Sequence, residues 1–159
     1  MFKKWRSENI EKDLERVRKY HRDNAGIRRQ YYLDNKHKIM PRQAKYQRDK
    51  AKSDPEYKLA QMLRKRVWAA LKNNYADKAH KTMDILGCSI PEYREHLESL
   101  FTAGMSWDNH SPRGWHIDHI MPCAAFDLTD PKEQKKCFNY KNTQPLWAVD
   151  NLRKSAKNS

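Results

Sequence analysis

A chain of 159 residues holds one compact domain with a substantial extension, or two small domains. Apolar residues make up 38% of it and charged residues 33%, so the core is small and much of the chain is solvated or bound to something. The formal charge of +13 favours a polyanionic partner, the alternative being a merely soluble basic surface.

The charge is unevenly placed. Residues 1–82 carry 24 Lys/Arg against 10 Asp/Glu, whereas residues 83–159 carry 9 against 10. A basic first part and a near-neutral second part point to backbone grip in one and chemistry in the other, with a division at 1–82 and 83–159. Cys88, Cys123 and Cys137 form no CxxC pair. An odd count at wide spacing argues for reduced thiols in a cytoplasmic setting and against a zinc cluster. No apolar run of about 18 residues exists, so no membrane span is expected. The start, Met1-Phe2-Lys3-Lys4-Trp5-Arg6, has no apolar stretch behind it and does not read as a secretory signal.

In chain order, Ser7 is placed to cap a first helix in which Ile10, Leu14 and Val17 recur at helical spacing, with Ala25-Gly26 as its break. A second basic segment runs from Ile27 to Met40 and is limited by Pro41; a third runs from Arg42 to Lys52. With few apolar residues, this stretch cannot bury a core of its own and is expected to order fully on a partner. Asp54-Pro55 opens the best-defined amphipathic helix: the aspartate caps it, and proline suits the first helical position. Leu59, Met62, Leu63, Val67, Ala70 and Leu71 share one face, while Arg64, Lys65 and Arg66 lie elsewhere and are expected to meet phosphates. Trp68 is expected to pack rather than to stack on bases. Residues 73–82 read as a polar linker. Ser89 and Pro91 start a helix with Tyr93, Leu97, Leu100 and Phe101 at core spacing, and residues 102–114 form a loop. Asp130-Pro131-Lys132-Glu133 starts another helix, with Asp130 and Glu133 placed as a reciprocal cap. A strand over 143–147 and a last helix over about 149–156 complete the chain.

The chain is organised around Trp115-His116-Ile117-Asp118-His119-Ile120-Met121-Pro122. It reads as a short buried strand running into a turn, and such a strand buries a carboxylate and imidazoles only when they have partners. Asp118 sets a hard-metal ligand beside His119, a candidate general base. Strand alternation puts His116 and Asp118 on one face and His119 on the other, so Asp118 and His119 reach a common site only if the strand ends or bulges there. Pro122 makes an ending the expected outcome. Downstream come Asn142-Thr143-Gln144-Pro145-Leu146-Trp147 and Asp150-Asn151-Leu152-Arg153-Lys154.

In the order and spacing of these three parts, the stretch from about Leu86 to Lys157 resembles the HNH endonuclease family, most of all its phage-type members. The resemblance implies an α+β fold, a ββα-metal nuclease core carrying a mainly helical basic extension. It implies His119 as general base and Asp118 as metal ligand. Asn151, where many members have histidine, would be the second ligand, and Asn142 the residue that holds the loop after His119. An all-oxygen protein set favours Mg²⁺, with Mn²⁺ as substitute. The two CxxC-type pairs of many members are missing, so no structural zinc is expected, and Trp107, Trp115, Phe126, Phe138, Leu146 and Trp147 must supply the packing instead. Arg153 and Lys154 match the family's basic residues and would contact the backbone beside the cut. His116 is open between a phosphate contact and a supporting or packing role.

The expectation is therefore hydrolysis of a DNA phosphodiester, in double-stranded DNA, by a monomer or weak dimer, in a nicking or homing-type phage enzyme. For each residue an ordinary role is the alternative: a satisfied histidine at 119, a turn-capping aspartate at 118, a helix-start asparagine at 151. Taken together these describe a non-catalytic basic nucleic-acid-binding module. An RNA-directed nuclease or toxin of the same fold is a further alternative.

Overall fold

The structure is a computed structural model that describes the backbone of residues 2–157 and the side chains of residues 9–154. Ser7 does not cap the first helix: that helix begins at Phe2 and Ser7 lies within it. Seven α-helices and two strands are described, besides three short 3-10 turns: α1 (Phe2–Asp23), α2 (Ala25–Ser53), α3 (Pro55–Asn73), α4 (Thr82–Leu86), α5 (Ile90–Ser99), β1 (Trp115–His119), α6 (Pro131–Phe138), β2 (Thr143–Trp147) and α7 (Ala148–Lys157). The fold is thus mixed and mostly helical, an α+β arrangement with one two-stranded antiparallel sheet. None of the described helices is long and apolar enough to cross a membrane.

The chain divides into two compact units, Met1–Ala51 and Lys52–Ser159. In the first, α1 ends at Asp23 and α2 starts at Ala25, so the interruption is the single residue Asn24, whose side chain turns back to donate to the Tyr20 carbonyl. The expected stop at Pro41 does not occur, because α2 runs through it to Ser53. Proline removes one backbone donor and crowds the carbonyl four residues earlier, a cost of about 3 kcal/mol in a helix interior that a long helix can absorb. None of α2's residues is buried, as the scarcity of apolar side chains requires.

The second unit contains the core. Asp54 caps α3 by accepting from the Tyr57 N–H at 2.8 Å, with Pro55 in the first turn. The apolar face of α3 buries Leu59, Leu63, Val67 and Leu71 together with Ile85, Leu86, Tyr93, Leu97, Trp115, Ile117, Leu128 and Phe138. So α3, whose charge groups it with the first 82 residues, packs in the same body as the strands. Trp68 is not part of that packing. It is 59% exposed, with the Lys72 ammonium 4.9 Å from its ring centroid, because it falls outside the stripe that Val67 and Leu71 occupy.

The expected linker at 73–82 is tied down. Gln134 of α6, 1% exposed, donates to the carbonyls of Asp77 at 2.8 Å and Leu128 at 2.9 Å and accepts from the Ala79 N–H at 3.2 Å. A buried amide persists only when its donors and acceptor are met, and here that need fixes the segment. Ser89 and Glu92 form the reciprocal cap of α5. At α6 only half of the expected cap forms: Asp130 accepts from the Lys132 N–H, while Glu133 pairs with Lys136.

Candidate functional site

The two strands pair in the register Trp115–Trp147, His116–Leu146, Ile117–Pro145, Asp118–Gln144 and His119–Thr143. Trp115 and Ile117 point into the core, Trp115 being 0% exposed, which sends His116 and Asp118 to the opposite face, against α7. The strand begins at a forced glycine. A Cβ on Gly114 would lie 1.8 Å from the Asn109 carbonyl oxygen, and the Gly114 carbonyl accepts from the Ala148 N–H at 2.8 Å, which ties the start of α7 to the start of β1.

On the α7 face, three side chains meet Asp118 and His116 of β1. Lys154 donates to Asp118 Oδ2 at 2.6 Å, and Gln144, directly opposite in register, donates to the same oxygen at 3.1 Å. The Lys154 ammonium also donates to the His119 carbonyl and, at 3.1 Å, to the Ile120 carbonyl. The pair is partly buried, with Lys154 and Asp118 side chains 26% and 15% exposed. One turn earlier on α7, Asn151 donates to His116 Nδ1 at 3.0 Å, and His116 Nε2 donates to the Pro112 carbonyl at 3.2 Å. Both nitrogens of His116 are engaged, with the ring proton on Nε2. Asn151 therefore meets His116, the neighbour of Asp118 on that face, and Lys154 points inward to Asp118 where the sequence placed it on a DNA backbone.

His119 closes β1, the ending expected from Pro122, but its ring lies on the face opposite Asp118, so the expected convergence of the two side chains on one site does not occur. Nδ1 is 3.6 Å from Cys123 Sγ, and the Phe138 ring meets the imidazole edge-on at 5.7 Å. Cys137, wholly buried on α6, donates to Cys123 Sγ at 3.5 Å. The hydrogen bond from Cys137, and after it the bond and charge of His119, hold the Cys123 thiol well below its ordinary range against the opposing effect of burial. The bond to Cys123 and burial push the Cys137 thiol up.

One residue links the two faces. The Asn142 amide accepts from the Met121 N–H at 2.9 Å and donates to the carbonyls of Met121 at 3.1 Å and Cys137 at 2.8 Å. Its backbone carbonyl takes the Ile120 N–H at 2.9 Å. The turn after His119 is thus clamped through side chain and main chain at once. Asn139, close by in sequence, does local work instead, accepting from the Lys141 N–H to cap the turn Tyr140–Asn142.

Of the remaining basic residues, Arg64 and Lys65 are exposed on α3 and Arg66 is half-buried. Arg153 is exposed and pairs with Asp150 at 3.4 Å. Cys123, Cys137 and Gln144 were not singled out by the sequence. Gln144 could have been found from its place opposite Asp118 once the strands were paired; the cysteines carry no spacing that announces a shared site.

No family model matches the chain, and no solved structure matches it significantly. Two proteins of Acanthamoeba polyphaga mimivirus, both named only as uncharacterized, are similar to it. One is 37% identical over 118 residues, which cover 74% of this chain and 50% of that protein. The other is 36% identical over 105 residues, covering 66% of this chain and 45% of that protein. The chain spans about half the length of these curated relatives.

Proposed function

We propose that the second unit is an endonuclease of the HNH type that hydrolyses DNA phosphodiester bonds, with His119 as general base. The observation that carries this reading is the Asn142 clamp: an amide bonded at both ends to backbone holds the turn that follows His119, across 21 residues of sequence. A group that must take a proton from a water aimed at phosphorus needs a fixed position, and a clamp on the main chain supplies one. The contact between Nδ1 and the Cys123 sulfur also holds the ring in place, at 3.6 Å.

The donors near Asp118 fit a hard divalent cation in kind: a carboxylate, two main-chain carbonyls and, one turn away, the Asn151 amide. Asp118 and Asn151 would hold Mg²⁺, or Mn²⁺ in its place, and the ion when bound supplies charge neutralisation at the phosphate and the departing 3′ oxygen. Gln144 orients the carboxylate. Arg64, Lys65 and Arg153, with the basic helices of the first unit, offer cations to the DNA backbone, so binding weakens steeply with salt.

The second reading is a basic nucleic-acid-binding module that cuts nothing. The ion pair between Lys154 and Asp118 favours it, because a carboxylate already neutralised by an ammonium is also how a structural pair is built. A supercoiled-plasmid nicking assay with Mg²⁺, Mn²⁺ and EDTA separates the two. The first reading expects metal-dependent nicking that falls about a thousandfold in His119→Ala; binding without nicking, indifferent to EDTA, establishes the second. Double-stranded DNA, single-stranded DNA and RNA run side by side identify the substrate.

A further inference from the structure

We propose that His119 Nδ1, Cys123 Sγ and Cys137 Sγ form a binding site for Zn²⁺, separate from the oxygen donors on the other face of β1. The three residues come from three places, the last position of β1, the first position of the turn Cys123–Ala125 and α6, yet their ligand atoms all lie within 4.8 Å of one another. Bonds of about 2.3 Å to sulfur and about 2.0 Å to nitrogen, set tetrahedrally, place two sulfurs about 3.8 Å apart and a sulfur and a nitrogen about 3.5 Å apart. The observed edges are 3.5 Å for the two sulfurs and 3.6 Å for Cys123 Sγ and His119 Nδ1. Two of the three edges therefore already have the length a zinc ion would impose, and the third needs only a small side-chain movement. Thiolate and imidazole are the ligand types zinc prefers, and three protein ligands leave a fourth position for water. Cys88 stands apart from this group and shares none of its contacts among the described residues.

The site has a consequence that rests on the nuclease reading. An imidazole that coordinates through Nδ1 keeps its proton on Nε2, the nitrogen that would have to accept one from water. Zinc bound here would silence His119 as a base, and excess Mg²⁺, acting on the opposite face, would not relieve it.

The test uses the full chain, reduced with a phosphine and titrated with Co²⁺ as a spectroscopic stand-in. One equivalent is expected to produce thiolate-to-cobalt charge-transfer absorption with the intense visible bands of tetrahedral cobalt, and Zn²⁺ is expected to bleach both. Cys123→Ser and Cys137→Ala should each abolish the charge-transfer band or weaken Co²⁺ binding at least tenfold, and Cys88→Ser should match the parent. Thiol counting on the unmutated chain guards against a variant that misfolds: Zn²⁺ should protect two of its three cysteines from alkylation. A missing charge-transfer band, a band unchanged in Cys123→Ser, or no protection by Zn²⁺ would overturn the site. A full cobalt spectrum in a protein that never nicks DNA would sink the hydrolytic reading and leave the metal site standing. Nicking without that spectrum would do the reverse.

Discussion

On the α7 side of β1, Asp118 meets an amide and an ammonium; one residue later, on the core side, His119 meets the Cys123 sulfur, which in turn accepts from Cys137. The first setting is hard, built from oxygens and a compact cation. The second is soft and largely apolar, with Phe138 against the ring. Period-two alternation converts sequence neighbours into separate environments, so an adjacent Asp-His pair is not one site by virtue of adjacency. What the faces share is the turn that ends β1, and Asn142 holds that turn. Each face can be perturbed with little direct contact to the other, and the turn can be perturbed to disturb both.

The largest effect on stability is expected at the shared element. Asn142→Ala removes one acceptor and one donor group that together serve three backbone partners, in the turn after His119 and at the end of α6. The loss should be about 2 kcal/mol, allowing for solvent access to the turn. Urea denaturation measures it, and nicking activity should fall together with stability. A variant as stable as the parent would mean that the main-chain bond from Ile120 to Asn142 suffices, and that the faces are not coupled through the amide.

Lys154→Met probes the hard face alone. The ammonium binds Asp118 and the carbonyls of His119 and Ile120, the same oxygens a divalent cation would use. Its removal leaves a carboxylate without its cation and should cost about 1 kcal/mol of stability in metal-free buffer, after discounting for the exposure of the pair. It should also raise Mn²⁺ affinity about tenfold, which is about 1.4 kcal/mol of competition relieved. Calorimetric titration reads the affinity. Unchanged or weaker Mn²⁺ binding would show that the ammonium does not compete for these oxygens. Cobalt binding at the sulfurs should not move.

The two faces also differ in how far the sequence disclosed them. Local chemistry was readable: the Asp54 and Ser89 caps and the span of β2 follow from residues a few positions apart. So was the placement of His116 with Asp118, since alternation is a rule of the strand. Partners chosen by tertiary packing were not readable. Nothing near Lys154 announces that it turns inward, and Cys123 and Cys137 acquire a common meaning only when α6 lies beside the end of β1. Gln134 is a similar case: an amide in a helix gives no hint that it fastens the segment 73–82. Trp68 failed differently, because a large aromatic was assigned to the core by its type although its helical position lies off the apolar stripe.

The core side of β1 offers the smallest and most selective perturbation. His110 lies beside Trp115, with ring centroids 4.5 Å apart, and pairs with it through an isolated parallel bridge. Burial first, then the nearby positive groups of Lys58, His116 and Arg66, depress its pKa below the usual 6.5. The unfolded chain therefore takes up this proton at a higher pH than the folded protein does. The contribution to stability is complete above 6.5 and is lost as pH falls from there through the folded value. His110→Phe keeps an aromatic ring against Trp115 and removes the titration. Between about pH 7.5 and about pH 5.5, the urea midpoint of the parent should drop more than that of the variant. Equal drops would assign the acid sensitivity to other groups. Because His110 touches neither the ammonium at Asp118 nor the sulfurs at His119, a change in metal affinity in this variant would instead reveal that the packing of Trp115 reaches the site through the strand.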